Sequence, residues 1–346
     1  MKASILYGPN DIKYEEVPDP QCPEKGIVLE IKACGICGSD LRTMEGGSKN
    51  KIYPSIIGHE ITGEIIESNN SEYNIGDFLA VAPIVPCGEC WYCKQGIQNL
   101  CDNMREIGLA TGIAGGFAEY MSLTEELLKK GYINKISQDS DLVTAVVNET
   151  ASSCLQAQIN TNMVMEDLVL IIGGGTIGLL HSEIAKIRGA RETIVAELNS
   201  EKAELAVKQG FNEVVNHGSS DKELKKIVMD KTKGRGADVV ITACPSGQAQ
   251  ADALSLVRKR GKVILFGGIP KDKKPFLDTN LIHYKEIEIY GASAYTPIYN
   301  KKALDLVTSG RINANKFITH KYSLDELEQA FKDMKDGKMI KGVVIP

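Results

Sequence analysis

The chain has 346 residues, of which 43% are hydrophobic and 25% charged, and its formal net charge is −5. One hydrophobic core stops growing near roughly 250–300 residues, so this length predicts two domains. No stretch approaches the roughly 18 consecutive apolar residues of a membrane span, which excludes a membrane protein. The net negative charge and the lack of a basic cluster exclude nucleic acid as a partner, because such binding depends on lysine and arginine neutralising phosphates.

The first residues lack the apolar core and the small-residue cleavage site of a secretory signal. We therefore expect a cytoplasmic protein. Nine cysteines are an odd number for a disulfide framework, and four of them lie within fifteen residues, at Cys87–Cys101. In a reducing compartment such clustering indicates metal binding.

Residues 1–145 are predicted to form a β-rich domain. Gly26–Ala33 alternates apolar and polar side chains, as in a half-buried strand. Turn residues such as Asn69-Asn70 and Gly76-Asp77 divide the following segments into short pieces.

From Leu168 onward, apolar runs alternate with helical patterns. This rhythm is typical of βαβ units with a parallel sheet. The predicted strands are Leu168–Ile172, Thr193–Ala196, Asp238–Ala243 and Lys262–Phe266, and the predicted helices are Thr176–Arg188, Ser200–Gln209, Asp221–Lys231 and Gln248–Arg258. Near the end of the chain, a capping box at Ser323 and Glu326 predicts another helix, and Gly342–Ile345 predicts a closing strand.

A glycine-rich turn directly follows the first of these strands. Gly173, Gly175 and Gly178 have the GxGxxG spacing that lets a backbone approach a pyrophosphate at a helix N-terminus. The next strand ends at Glu197, where a carboxylate can bind the adenosine ribose hydroxyls and repel a 2′-phosphate, so we expect NAD rather than NADP. The candidate cofactor-binding residues are Gly173, Gly175, Thr176, Ile177, Gly178, Glu197, Gly267 and Gly268.

The cysteine cluster has the composition of a closed zinc site. Cys87, Cys90, Cys93 and Cys101 can supply four thiolates, which complete a tetrahedral shell and leave no position for chemistry. We expect this zinc to be structural. Paired disulfides and a nucleic-acid-binding zinc ribbon are alternatives, but the latter uses separated CxxC pairs with basic neighbours.

Three further motifs precede the glycine-rich turn: Gly-Ile-Cys-Gly-Ser-Asp at 35–40, Gly-His-Glu-Ile-Thr-Gly at 58–63 and Gly-Gly-Phe-Ala-Glu-Tyr at 115–120. With the cysteine cluster and the GxGxxG unit, they resemble the zinc-dependent alcohol and polyol branch of the medium-chain dehydrogenase/reductase superfamily, including sorbitol and sugar-phosphate dehydrogenases. The resemblance covers essentially the whole chain. It implies a fold of class α/β plus β, with a GroES-like catalytic domain (residues 1–150 and 291–346) and an inserted, doubly wound Rossmann domain (residues 151–290).

The resemblance also implies a catalytic zinc. Cys37 and His59 would bind it, and the third ligand would be Glu60 or Glu149, since either carboxylate completes a three-ligand site with an open position. Ser39 would relay the alcohol proton, and Asp40 would orient His59. The candidate catalytic residues are therefore Cys37, Ser39, Asp40, His59, Glu60 and Glu149.

The function implied is hydride transfer between NAD and a secondary hydroxyl of a polyol, sugar or sugar phosphate, with one catalytic and one structural zinc per chain. A threonine or amino-alcohol dehydrogenase is the alternative within enzymes, and a non-catalytic NAD- and zinc-binding protein is the alternative outside them. Cys34 and Cys37 also form a CxxC pair, and a redox-active dithiol is an alternative interpretation of these two cysteines. The resemblance implies a homodimer or homotetramer.

Overall fold

The computed structural model describes residues 1–46, 51–218, 221–270 and 275–346. They separate into two compact units. The β-rich unit comprises Met1–Glu149 and Tyr295–Pro346, and the α/β unit comprises Thr150–Ala294. The first division lies one residue before the boundary expected from the sequence, and the second lies four residues after it.

Eighteen strands are present in the described residues. In chain order they are β1 (Lys2–Gly8), β2 (Asp11–Glu16), β3 (Ile27–Gly35), β4 (Ser55–Ile56), β5 (Glu60–Ser68), β6 (Phe78–Val81), β7 (Ile84–Val85), β8 (Arg105–Glu106), β9 (Tyr120–Leu123), β10 (Ile133–Ile136), β11 (Leu168–Ile172), β12 (Glu192–Glu197), β13 (Val214–Asn216), β14 (Ala237–Thr242), β15 (Val257–Leu265), β16 (Glu288–Gly291), β17 (Ile318–Tyr322) and β18 (Lys341–Val344).

Twelve α-helices accompany them in the same part of the chain. They are α1 (Gly38–Met44), α2 (Trp91–Lys94), α3 (Glu125–Lys130), α4 (Leu142–Ala145), α5 (Val147–Asn160), α6 (Thr176–Ile187), α7 (Ser200–Lys208), α8 (Asp221–Lys231), α9 (Gly247–Leu256), α10 (Thr279–Lys285), α11 (Pro297–Thr308) and α12 (Leu327–Asp336). None of the described helices is long and apolar enough to cross a membrane.

The β-rich unit is organised around a seven-stranded sheet in the order β10-β6-β5-β3-β18-β17, with β9 also paired to β3. β3 and β5 are antiparallel neighbours, and β18 pairs with the last residues of β3. Their inward side chains join one hydrophobic core, in which Phe117 and Phe331 meet edge to face with ring centroids 6.3 Å apart. The C-terminal strand is thereby placed beside the segment that leads to Cys37.

The α/β unit contains a six-stranded sheet in the order β13-β12-β11-β14-β15-β16, and all its pairs are parallel. This is the doubly wound order, in which the first and fourth strands are neighbours and successive strands are added outward from them in opposite directions. The strand β11 is completely buried, as its uninterrupted apolar sequence indicates. The predicted combination of a β-rich part and a Rossmann-like parallel sheet is confirmed.

Several element boundaries differ from the predicted ones. The helix predicted to reach Arg258 ends at Leu256, and the following strand begins at Val257 instead of Lys262. The capping box at Ser323 is present, but it opens one turn of 3₁₀ helix (Leu324–Glu326) before α12 begins. Apolar periodicity does not distinguish a last helical turn from a first strand residue, which explains the first difference.

Candidate functional site

Cys37 is the N-cap residue of α1, which begins at Gly38. Asp40, three residues on, closes a capping box, because its Oδ2 accepts a hydrogen bond from the Cys37 backbone N–H at 2.9 Å. The other oxygen of Asp40 lies 2.8 Å from Nδ1 of His59. One fully buried carboxylate therefore ties the Cys37 loop to the histidine that follows Gly58.

His59 is consequently held in one orientation. An Nδ1–H that donates to Asp40 leaves Nε2 as the nitrogen with a free lone pair, and Nε2 lies 3.2 Å from Oγ of Ser39. Burial lowers the pKa of His59, but the Asp40 carboxylate and Cys37 together raise it by more, so the pKa lies well above its ordinary value. Asp40 is thus positioned to make the ring a better electron donor.

Glu60 is the first residue of β5, and its cross-strand partner is Gly35 at the end of β3. The glycine leaves the space that the Glu60 carboxylate fills, because a Cβ built on Gly35 would overlap Oε2 of Glu60. On β18, Lys341 is 2% exposed, and its Nζ forms an ion pair with the same oxygen. Burial lowers the pKa of Lys341, but the negative charges nearby, mainly that of Glu60, raise it by more, so the net shift of the pKa is upward.

These contacts bring one ligand atom each from Cys37, His59 and Glu60 within 4.8 Å of one another. A thiolate, an imidazole and a carboxylate are the donor set of a three-ligand zinc site with an open fourth position. The residues of this group therefore fit a catalytic zinc ion.

Glu149 is not a member of this group of three ligand residues in the described part of the chain. Its Oε1 accepts a hydrogen bond from the hydroxyl of Tyr295 at 2.8 Å. Burial raises the pKa of Glu149, partly offset by the charge of His59. Burial and the Glu149 carboxylate raise the pKa of Tyr295 well above its usual range. Of the two candidate third ligands, Glu60 is thus the one in direct reach.

The four clustered cysteines also converge. The sulfur atoms of Cys87, Cys90, Cys93 and Cys101 all lie within 4.8 Å of one another, with Cys87 and Cys93 4.0 Å apart. Four sulfurs bound to one zinc at about 2.3 Å would be separated by about 3.8 Å, so the cluster has nearly the size of a zinc tetrahedron. All nine cysteines are free, which argues against paired disulfides.

Backbone amides favour the thiolate form in this cluster. The N–H groups of Glu89 and Cys90 point at the sulfur of Cys87, at 3.5 and 3.4 Å, and lower the pKa of Cys87 to about 6. Burial instead raises the pKa of the Cys93 thiol. A thiolate is the form that binds zinc, so the amides prepare Cys87 as a ligand.

A cavity of about 510 Å³ lies at the carboxyl ends of the strands in the α/β unit. Its lining includes Gly173, Gly175 and Glu197, together with Ala243 and Cys244 after β14. β11 and β14 are the neighbours between which the strand order reverses, which is where open α/β sheets bind ligands. A cavity of this size and position can hold the adenosine part of a dinucleotide.

The three glycines of the turn have distinct geometries. Gly173 adopts a left-handed φ of +114°, Gly175 caps α6 with open space around it, and a Cβ on Gly178 would overlap the carbonyl of Gly173. Thr176 and Ile177 form the first turn of α6. This leaves the helix N-terminus open to a phosphate group.

Glu197 ends β12 beside this turn. Its two carboxylate oxygens accept hydrogen bonds from the backbone N–H groups of Gly174 and Asn199, each at 2.8 Å. Gly267 and Gly268 follow β15 and are not among the residues that line the cavity.

Two family models match the chain: an alcohol dehydrogenase GroES-like domain over residues 23–132 and a zinc-binding dehydrogenase domain over residues 176–309. Similar proteins include the D-arabitol-phosphate dehydrogenase of Enterococcus avium, 31% identical over 97% of this chain and 94% of the relative. The sorbitol dehydrogenase of Bacillus subtilis (strain 168) is 30% identical over 96% of this chain and 93% of the relative.

Among solved structures, a Sinorhizobium meliloti 1021 protein described as a zinc-binding dehydrogenase and bound to NADP has a TM-score of 0.91. It is 28% identical, and the match covers 100% of this chain and 99% of that one. The chain belongs to the zinc-dependent medium-chain dehydrogenase/reductase family. It is an oxidoreductase of the alcohol and polyol branch, with zinc and a nicotinamide dinucleotide as its cofactors.

Some residues at these sites were not singled out from the sequence. Lys341 lies 281 positions after Glu60, and no family motif surrounds it. Tyr295, which donates a hydrogen bond to Glu149, also stands outside the motifs. His217 and Cys244 line the cavity of the α/β unit, and neither lies in one of the motifs. These residues reach the sites through tertiary contacts, which cannot be seen in a single sequence.

Proposed function

We propose that this family member oxidises a secondary hydroxyl of a polyol, sugar or sugar phosphate with NAD, and reduces the corresponding ketone in reverse. The observation that carries the proposal is the convergence of Cys37, His59 and Glu60 within 4.8 Å in the β-rich unit. The polyol relatives support the substrate class, since sorbitol and D-arabitol phosphate are named for two of them.

Zinc held by Cys37, His59 and Glu60 would act as a Lewis acid toward the substrate oxygen, and NAD would accept the hydride. The chain's own groups orient this chemistry. Asp40 keeps His59 in the tautomer whose Nε2 faces the ligand group. Ser39, 3.2 Å from that nitrogen, is placed to accept the proton of the substrate hydroxyl and pass it toward solvent.

Glu149 and Tyr295 form a second polar pair in the β-rich unit. Glu149 is an alternative third ligand, because its carboxylate would complete a Cys-His-carboxylate donor set as Glu60 does. In the proposed site it takes the place of Glu60 when that carboxylate withdraws. The four cysteines at 87–101 hold a separate zinc that stabilises their loop.

NAD is the proposed cofactor because of Glu197. A carboxylate at the end of β12 repels the 2′-phosphate of NADP and accepts hydrogen bonds from ribose hydroxyls. The turn at Gly173, Gly175 and Gly178 and the first residues of α6, Thr176 and Ile177, would hold the pyrophosphate. Gly267 and Gly268 would line the same edge of the sheet.

We expect a cytoplasmic homodimer or homotetramer. β16 is the terminal strand of its sheet and pairs on one side with β15 in the described structure, so its other side can join a second copy. Sedimentation equilibrium of the whole chain measures the molar mass and therefore the number of chains in the assembly.

The decisive experiment measures NAD reduction with alditols, sugar phosphates, inositols and threonine, and counts zinc in the same preparation. We expect two zinc ions per chain and the highest kcat/KM with a polyol, sugar or sugar phosphate. Preference for threonine would favour the amino-alcohol alternative, and one zinc without turnover would favour a binding protein.

A matched pair of variants tests the metal role. Cys37→Ser should remove turnover and one zinc while NAD still binds. Cys22→Ser, at a partly buried cysteine outside both ligand groups, should retain both. Full activity of Cys37→Ser would contradict the proposed site.

A further inference from the structure

Tyr132 is a buried tyrosine that belongs to none of the sequence motifs. It lies between α3 and β10 and is 4% exposed. Its backbone N–H donates to the carbonyl of Ile84 at 3.2 Å, and its own carbonyl accepts a hydrogen bond from the N–H of Ala82 at 3.0 Å. Both bonds attach Tyr132 to the segment that leads into the loop of the four cysteines, because β7 ends two residues before Cys87.

The side chain of Tyr132 packs at the base of this loop. β7 and β8 pair there, so the chain that enters the loop and the chain that leaves it lie side by side. Met104, three residues after Cys101, packs against the same group of buried side chains as Tyr132. We call this group the tyrosine cluster, and its members are Ala82, Ile84, Met104, Tyr132 and Tyr295. The chain on both sides of the cysteine loop therefore contributes to the tyrosine cluster.

Tyr295 connects the tyrosine cluster to Glu149. The ring centroids of Tyr132 and Tyr295 are 6.0 Å apart, with 48° between the ring planes, which is within the range of interacting aromatic pairs. Tyr295 is 1% exposed, and its hydroxyl donates the 2.8 Å hydrogen bond to Glu149. A displacement of the Tyr132 ring would therefore move the hydroxyl that holds the alternative third ligand.

The ring of Tyr132, and not its hydroxyl, makes this connection. The hydroxyl oxygen is buried and has no hydrogen-bond partner among the described residues. Burial raises the pKa of Tyr132, and negative charge at Cys93 and Cys101 raises it further, so the hydroxyl stays uncharged. A buried hydroxyl without a partner costs stability, so the packing of the ring is what keeps Tyr132 in place.

We propose that Tyr132 is a positioning residue that couples the four-cysteine cluster to the catalytic group. The ordered cysteine loop holds the Tyr132 ring against Tyr295, and Tyr295 in turn fixes the carboxyl of Glu149. The inference rests on the proposed function, because it takes Glu149 as a ligand of the catalytic zinc. It gives the cysteine cluster a role in the reaction besides the stability of its own loop.

The first test compares Tyr132→Leu with the wild-type chain. NAD reduction is measured with the best substrate among alditols, sugar phosphates and inositols, and the visible spectrum of Co²⁺ substituted at the catalytic group reports its coordination. Loss of the ring should change the cobalt spectrum and lower kcat about tenfold, the lower end of the effect of outer partners of metal ligands. Tyr132→Phe keeps the ring and should restore both. A wild-type kcat and spectrum in folded Tyr132→Leu, or equal impairment of Tyr132→Phe, overturns the proposal.

A double variant tests the route through Tyr295. Tyr295→Phe removes the hydroxyl that binds Glu149, so Tyr132→Leu/Tyr295→Phe should have the kcat of Tyr295→Phe alone. A further fall in the double variant overturns the proposal. Tyr322→Leu is the matched control, since it removes another buried tyrosine of the β-rich unit. It should lower the unfolding temperature without changing kcat or the cobalt spectrum, and an impairment equal to that of Tyr132→Leu would assign the effect to general destabilisation.

Met104→Ala tests the link to the cysteine loop. The variant keeps all four cysteines, so the zinc content should stay at two per chain, but the space it leaves loosens the packing of the tyrosine cluster. We expect the same changes as in Tyr132→Leu by a smaller factor. Met334→Ala, at a partly buried methionine of the same unit, should leave kcat and the cobalt spectrum unchanged.

A wild-type kcat and cobalt spectrum in Met104→Ala overturns the coupling, and this result decides the question even if Tyr132→Leu does not fold. Failure of the proposed function is distinguishable, because the wild-type chain would then bind one zinc and show no turnover. Failure of the inference alone leaves two zinc ions and turnover in the wild-type chain.

Discussion

Gly35 and Glu60 are cross-strand partners in the β3–β5 pair, and the Glu60 carboxylate fills the space that a side chain at position 35 would occupy. The glycine two residues before Cys37 therefore belongs to the proposed metal site, although it offers no ligand. The lack of a side chain at position 35 determines where the Glu60 carboxylate can lie relative to His59.

Gly35→Ala should consequently displace Glu60. The added methyl group overlaps the carboxylate, and overpacking a closed site costs about 1–3 kcal/mol of unfolding free energy. We expect lower thermal stability and loss of the catalytic zinc, measured by metal analysis. Gly8→Ala is the matched control in the same unit, because nothing lies within 4 Å of its added Cβ. Equal zinc content in the two variants would show that Glu60 does not depend on this space.

Asp40→Asn tests the carboxylate that links α1 to His59. Asparagine retains the size of the side chain but removes the charge that orients and polarises the imidazole. Loss of such an outer partner typically reduces metal affinity or activity about 10- to 100-fold, and we expect a decrease of that order in kcat/KM. Asp11→Asn alters an exposed aspartate of β2 and should behave as wild type. A kcat/KM for Asp40→Asn within a factor of two of wild type would contradict the positioning role.

The order of motifs along the chain predicted the fold, because each motif carries a local physical requirement. Gly173, Gly175 and Gly178 must follow a buried strand and open a helix, and they do. The short strands β13 and β17, of three and five residues, were not predicted. Such strands depend on their sheet neighbours more than on their own sequence, so a single-sequence pattern carries little signal for them.

The candidate site likewise contains residues that local motifs predict and residues that only the tertiary structure brings in. Cys37 and His59 lie in short glycine-bounded motifs, so their proposed role as metal ligands could be predicted from the sequence. The ambiguity between Glu60 and Glu149 could not be resolved there, since it depends on whether β5 or α5 brings its carboxylate to the ligand group. Lys341 comes from a strand that pairs with β3 only in the folded chain.

Glu197→Gln tests the choice of dinucleotide. Glutamine retains one oxygen for the Gly174 or Asn199 N–H and removes the negative charge. Affinity for NAD should fall about tenfold, because a charge-assisted hydrogen bond is about twice as strong as a neutral one. Affinity for NADP should rise, and calorimetry measures both. Glu201→Gln, at an exposed position of α7, is the control. An unchanged ratio of the two affinities would remove Glu197 from cofactor selection.

Cys93→Ser tests the four-cysteine cluster. Loss of one thiolate opens the tetrahedral shell, and losing a structural metal is one of the few single changes that cost about 4 kcal/mol or more. We expect poor folding or a markedly lower unfolding temperature, with one zinc lost. Cys22→Ser changes a cysteine whose sulfur contacts backbone carbonyls at 3.7 and 3.9 Å, and should cost little. A stable Cys93→Ser protein with two zinc ions would refute the structural assignment.

The two metal groups should also differ in how they lose zinc to a chelator. The group at Cys37 has three ligands and an open position at which a chelator can attack, whereas four thiolates enclose the metal at Cys87–Cys101. Brief treatment with a small chelator should therefore remove one zinc per chain and abolish turnover, while circular dichroism and NAD binding persist. Added zinc should restore the activity. Simultaneous loss of both ions together with unfolding would indicate that the two sites do not differ as their ligand sets imply.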